Sequence, residues 1–332
     1  MCVASTMSSN SSDCSFGPEP HCGGRGRDLL RSKVVRLGTI LITGDIGDDP
    51  SFLKDMAQTL EGAGFDALLT NDHVIGGHPD RQRPGETVHT YDVPCHEPIV
   101  FLSFVAAVTT RLELVTSIVI STQRQTVLLA KQAAELDLLS GGRLRLGVGI
   151  GRNWMEYEAL EQDFSNRGRR IEEQVEVMRR LWTQELVTYD GTWHHLDRVG
   201  LNPLPVQRPI PIWMGSFVGA LVEKVLERTG RLADGWMPQF PPGDELAAAL
   251  ERLRGYAAAA GRDPSSLGIE CGMRIRAGDD PQSWVGKAEA FRELGATHLR
   301  VSTMGGGFST PDEHLAACVR WRDAVASAAG AA

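Results

Sequence analysis

Residues 112–151 read LELVTSIVISTQRQTVLLAKQAAELDLLSGGRLRLGVGIG, and this stretch decides the fold. Leu112–Ile120 is aliphatic and β-branched, the composition of a buried strand. Thr126–Leu139 reads as a helix that stops at Ser140-Gly141-Gly142, where glycine suits a helix end. Leu144–Ile150 is a second strand of the same kind, and it too ends in glycines. Strand, helix, strand at this spacing is a βαβ unit, which calls for a parallel sheet covered by helices.

The unit repeats in both directions. Upstream, Val34–Ile42 and Phe65–Thr70 read as strands flanking a helix that Asp48-Asp49-Pro50 opens and Gly62 and Gly64 close. Pro98 opens the next helix. Downstream, Gly168–Trp182 reads as a helix with Ile171, Val175, Met178 and Trp182 along one face. Strands follow at Ile210–Met214, Gly235–Pro238, Leu267–Ala277 and Thr297–Thr303, separated by helices at 217–229, Asp244–Ala260 and Pro281–Leu294. Residues 184–208 interrupt the alternation: LVTYDGTWHHLD, around Asp190-Gly191, reads as a small β-hairpin inserted between helix four and strand five. Eight strands alternating with helices predict a single α/β domain over 33–332, a (β/α)8 TIM barrel. No G-x-G-x-x-G follows the first strand, which argues against a doubly wound dinucleotide fold.

Composition narrows the partners. The chain has 332 residues and a net charge of −8, with no basic run, which argues against nucleic acid. No stretch approaches the roughly 18 apolar residues of a membrane span. Residues 1–32, MCVASTMSSNSSDCSFGPEPHCGGRGRDLLRS, lack the apolar region of a secretory signal and read as a disordered N-terminal tail. Cys2, Cys14, Cys22, Cys95, Cys271 and Cys318 form no C-x-x-C pair or zinc spacing; they read as reduced thiols of a cytoplasmic protein without a metal site.

Barrel enzymes place their chemistry at the C-terminal ends of the strands. Strand two ends Thr70-Asn71-Asp72-His73; the carboxylate and imidazole either orient a polar ring and move a proton, or cap a turn and fill a loop. Ser117 and Ile118 lie in strand three, where a hydroxyl is either satisfied locally or contacts a ligand. Strand four ends in Gly147, Gly149, Gly151, Arg152 and Asn153; the glycines admit a flat ligand close to the backbone or simply close a loop. Gly215 and Ser216 run into a helix, either an ordinary N-cap or an anion site.

Together these residues resemble the bacterial luciferase-like monooxygenase superfamily, in its branch that uses the deazaflavin coenzyme F420. The most specific stretches are LLAKQAAELDLLSGGRLRLGVGIGRNWMEYEAL (128–160), RGRRIEEQVEVMRRLW (167–182) and PIWMGS (211–216). The resemblance implies a hydride moved between the deazaflavin C5 and a small organic substrate, with His73 as the catalytic proton carrier and Asp72 beside the ring. It implies a non-proline cis peptide at Ser117-Ile118 supporting the ring, Gly149, Gly151 and Asn153 beside the cofactor, and Gly215 and Ser216 at its phosphate. Arg152 stands where an apolar or aromatic residue is frequent and would meet cofactor or substrate. The family is commonly homodimeric. Two other functions fit the same fold: an FMN-dependent monooxygenase using reduced flavin and O2, and a non-catalytic flavin-binding protein.

Overall fold

The structure, a computed structural model, describes residues 35–41, 43–83, 89–216 and 223–330. The N-terminal tail, the loop centre at 84–88 and the helix start expected at 217–222 lie outside the described residues.

Eleven strands occur among the described residues: β1 Arg36–Ile40, β2 Ala67–Thr70, β3 Glu113–Thr116, β4 Val119–Ile120, β5 Leu144–Gly149, β6 Val187–Asp190, β7 His195–Val199, β8 Ile212–Gly215, β9 Gly235–Met237, β10 Gly268–Arg274 and β11 His298–Ser302. Nine of them form one parallel sheet in the order β3-β2-β1-β11-β10-β9-β8-β5, with β4 also on β5. β5 pairs back onto β3, so the sheet closes. β3 and β4 are one stave broken at Ser117-Ile118, where the sequence predicts an unbroken strand; eight staves remain, a TIM barrel. β6 and β7 form a separate antiparallel pair, closed by Asp190 opposite His195.

The helices are α1 Thr43–Ile46, α2 Pro50–Ala63, α3 Pro98–Val108, α4 Thr126–Leu139, α5 Trp154–Ala159, α6 Arg167–Thr183, α7 Glu223–Leu232, α8 Asp244–Ala259, α9 Pro281–Glu293 and α10 Pro311–Gly330. Their starts follow local chemistry: Asp49 accepts from Ser51 N at 2.9 Å with Pro50 in the first turn, and Glu97 accepts from Val100 N at 2.7 Å. Gly64, at φ 85°, ends α2 in the left-handed conformation that glycine adopts without strain. α10 extends beyond the sequence-predicted elements; its buried Trp321 stacks on Phe65 at 6.4 Å.

Alternate residues divide each strand between two cores. Leu144, Leu146 and Val148 of β5 join the outer core beneath the helices. The inward set is Arg145, Gly147 and Gly149. Inside the barrel, Ile40, Ala67, Leu69, Val115, Trp213 and Met237 form a second, smaller apolar cluster, against which Ile118 packs. Trp213 fills the lumen because Gly235 and Gly268 leave it space: a Cβ at either would lie 2.3 or 2.2 Å from its ring. Toward the N-terminal strand ends the lumen is charged. Arg145 Nη1 meets Glu270 Oε2 at 2.5 Å and its Nη2 meets Glu113 Oε2 at 3.2 Å; Arg300 reaches Glu270 at 3.3 Å and Arg36 reaches Glu113 at 3.6 Å. The bottom of the lumen is thereby filled by paired charges, which leaves the opposite end as the candidate mouth.

Candidate active site

The Ser117–Ile118 peptide is cis, the bond that the family resemblance places there. Ser117 N donates to Thr70 O at 2.7 Å, tying the break to strand β2. The Ile118 side chain lies across the mouth. A Cβ on Gly149 would fall 2.6 Å from Ile118 Cδ1, and one on Gly215 would fall 2.8 Å from Ile118 Cγ2. At Gly147 a Cβ would collide with Thr116 O, and at Gly151, φ 59°, it would meet Ile120. These glycines therefore make room for the protein's own chain, at Gly149 and Gly215 for the Ile118 side chain. What they create is an apolar platform, with Ile118 on top and the inner barrel cluster below.

Around the platform stand polar groups from strands two, three, four and five. Asp72 is buried and both its oxygens are engaged: Oδ1 with Arg124 Nη2 at 2.7 Å, Oδ2 with Arg124 Nε at 3.3 Å and Ile120 N at 2.7 Å. Arg124 also binds Glu97 at 2.7 Å. Asp72 thus pins the segment that follows the Ile118 break.

His73 is partly exposed and points its Nδ1 at Glu156 Oε1, 2.7 Å away. Glu156 is fully buried, and its second oxygen has no hydrogen-bond partner. His73 Nδ1 is the hydrogen-bond partner of this carboxylate among the described residues, so a buried charge-bearing group is answered at one oxygen only. His89 stacks on His73 at 4.2 Å with the planes 3° apart. Burial, then the neighbouring His73, pushes His89 down to about 4, so His89 is neutral at physiological pH. Nothing local in the sequence signals Glu156, which α5 delivers from 83 residues away.

Asn153 caps α5 through Oδ1, 3.2 Å from Met155 N, while its buried Nδ2 has no partner. Gln123 is buried with neither amide atom bonded. Arg152 is exposed at the end of β5. Ser216 Oγ accepts from Trp236 Nε1 at 3.0 Å. The helix start expected directly after it lies outside the described residues. Arg274 ends β10 in the inward register of Glu270 and Gly272 and adds an exposed cation at the mouth that sequence reasoning missed. The hairpin is anchored to the barrel's helices: His194 bonds Thr126 Oγ1 at 2.6 Å and Glu173 Oε1 at 2.7 Å. Burial raises the thiols of Cys95, Cys271 and Cys318 to about 11, 12 and 12, keeping them protonated. Among the described residues no acidic, His or Cys group could hold a metal, and no helix is long and apolar enough to cross a membrane.

This arrangement can be set beside known proteins. Over residues 34–326 the chain matches the family described as luciferase-like monooxygenase. An uncharacterized protein of Mycobacterium tuberculosis is 33% identical over 241 residues, 69% of this chain and 80% of the relative. An F420-dependent glucose-6-phosphate dehydrogenase of Segniliparus rotundus is 31% identical over 245 residues, 71% of this chain and 67% of the relative. Among solved structures, an F420-dependent secondary alcohol dehydrogenase in complex with an F420-acetone adduct superposes with a TM-score of 0.70 at 18% identity, covering 89% of this chain and 98% of that one. The barrel, its broken third stave and this match along nearly its whole length agree: the chain belongs to the luciferase-like monooxygenase family.

Proposed function

We propose that this protein is an oxidoreductase that binds coenzyme F420 and acts on a small organic substrate. The observation that carries the reading is the His73–Glu156 pair, a proton-handling imidazole locked onto a buried carboxylate at the edge of an apolar platform. The relatives named as F420-dependent support the choice of cofactor.

The residues present fit such a group. A deazaflavin is flat, with two apolar faces and a polar edge, and Ile118 above the inner cluster offers a matching surface. Ser117, Gly149, Gly151 and Asn153 would hold the ring and its side chain, and Gly215 and Ser216 its phosphate. The unpartnered Nδ2 of Asn153 and amide of Gln123 are buried donors and acceptors that a polar ring edge would satisfy. Asp72 contributes by fixing Ile120 and Arg124 behind the platform, and Arg152 lies at the rim. When bound, the deazaflavin supplies or accepts the hydride at C5.

The remaining work falls to the chain. Glu156 holds Nδ1 of His73 and so fixes the tautomer and tilt of the ring, leaving Nε2 to give or take the proton that accompanies the redox step. The neutral, half-buried His89 covers one face of His73, which limits water there and adds no competing charge. Fluorescence titration of the purified protein with F420 and, separately, FMN tests the cofactor. Tighter binding of F420 is expected. Preference for FMN would favour the monooxygenase reading instead, and stoichiometric binding without turnover of any acceptor would favour a carrier.

A further inference from the structure

A single hydrogen bond fixes an axis and leaves a plane undefined. Nδ1 of His73 lies 2.7 Å from Glu156 Oε1, and about that line the imidazole could still turn, re-aiming Nε2 at every angle. A second ring removes this freedom. His89 lies parallel to His73, with 4.2 Å between centroids and 3° between planes. The half-buried ring of His89 is itself held, since it donates to the Val93 carbonyl. Its backbone carbonyl accepts from Gly77 N at 3.0 Å, Gly77 O accepts from Tyr91 N at 3.2 Å, and His78 stacks on Tyr91 across the same stem. Two glycines allow this close approach. A Cβ at Gly76 would strike the Thr90 carbonyl, and one at Gly77 would strike Met155, the residue before Glu156 in α5. The clasp that seats His89 therefore rests on the helix that supplies the carboxylate.

We propose that His89 is a positioning residue for the proton carrier: its ring fixes the plane of His73 and so aims Nε2, acting through His73 and not on the substrate. This rests on the reading of His73 given above. Proton transfer falls off steeply as donor and acceptor lose alignment, so a ring held at its axis and its face delivers the proton where a ring held at its axis alone does not. The stack must also survive the moment when His73 is charged. Burial and then His73 push His89 down to about 4, while the Val93 bond and Asp92 pull the other way. At neutral pH His89 is thus an uncharged aromatic face, which attracts an imidazolium at this distance and does not repel it. Histidine serves here better than phenylalanine because its N–H also ties the ring to Val93.

Two readouts test this on the full chain. The first needs no coenzyme: 13C relaxation at Cε1 of His73, with histidine labelled, reports how far the ring swings. The order parameter should be that of a rigid group in the wild type and in H89F, and should drop below about 0.6 in H89A. The second is turnover, followed by the absorbance of F420 with small alcohols as hydride donors. H89A should lower kcat about tenfold with F420 affinity unchanged, and H89F should recover most of that loss. H73N/H89A should be no slower than H73N, because an effect exerted through His73 disappears with it. An unchanged order parameter in H89A would overturn the inference and leave the cofactor reading standing. So would a further tenfold loss in the double variant, or a loss that H89F does not relieve, either of which places His89 on the substrate or in the fold. If H73N turns over normally, His73 is not the proton carrier, and the reading beneath this inference fails with it.

Discussion

The two ends of the barrel lumen hold buried carboxylates in opposite circumstances. At the N-terminal ends of the strands, Glu270 lies between Arg145 and Arg300, and Glu113 between Arg145 and Arg36. At the C-terminal ends, Glu156 is buried as deeply yet faces a single imidazole, with one oxygen unbonded. The lower network answers each charge with another, and Gly272 even cedes its side-chain space to Arg300. It also holds His298 well below the ordinary histidine value, through burial first and then Arg145 and Arg36, so no further cation forms there. Both ends keep buried polar atoms without hydrogen bonds, Glu270 Oε1 and Arg145 Nη2 below and Glu156 Oε2 above, so the ends differ in charge: the lower carboxylates have guanidinium counter-ions, and Glu156 has only an imidazole.

The strongest way to break this comparison is at Glu270. Replacing it with Ala leaves Arg300 buried without an anion and should cost about 3–5 kcal/mol in urea unfolding. The double change E270M/R300M should recover most of that loss, because well-packed apolar residues replace a buried ion pair at little net cost. Failure of the double change to recover would mean that the plug is needed as a charged network.

At the mouth the effects should fall on turnover instead. His73→Asn is expected to lower kcat by about 10²–10⁴ while the coenzyme still binds. Unchanged turnover with bound coenzyme would remove His73 from the chemistry. Glu156→Gln keeps an acceptor for His73 Nδ1 but removes the carboxylate that orients the ring. Its kcat should fall about tenfold with coenzyme affinity unchanged, and its unfolding free energy should change by under about 1 kcal/mol. A large loss of stability with unchanged kcat would make Glu156 another member of a structural network.

These contrasts also show what could be read from the chain alone. Barrel order was legible because each βαβ unit is punctuated locally, as by Asp49-Pro50 before α2 and Gly141-Gly142 after α4. The break in the third stave was not, since VTSIVI carries no residue that interrupts a strand; only likeness to a family placed it. The glycines at 149 and 215 were visible at strand ends, but the side chain packed against them, Ile118, comes from a neighbouring stave and leaves no local trace. The helical spacing of Leu315, Cys318, Trp321 and Val325 was present, although the strand-and-helix reading ended at Thr303. Glu156 was illegible for a stricter reason: its partner His73 lies in another loop, and a glutamate in the first turn of a helix has an ordinary explanation in the macrodipole.

A carboxylate outside the lumen supplies the control with the smallest expected effect. Glu61, near the end of α2, accepts from Thr110 N at 2.8 Å, Arg111 N at 2.6 Å and Leu112 N at 3.0 Å, the backbone that opens β3. Partial burial pulls its carboxyl up, but these bonds and the Thr110 hydroxyl outweigh that and lower it from 4.5 to about 2. The folded value lies below the unfolded one, so the stability it contributes is fully present above about pH 4.5 and is lost as pH falls through about 2. Glu61→Gln should therefore cost about 1 kcal/mol at pH 7, discounted for solvent screening of a partly exposed group, and flatten the pH dependence of unfolding between those limits. Glu61 has neither buried counter-ions, like Glu270, nor an imidazole partner, like Glu156. If its loss proved as costly as that of Glu270, backbone donors alone would hold a carboxylate as well as ions do, and the charged plug would need a reason beyond stability.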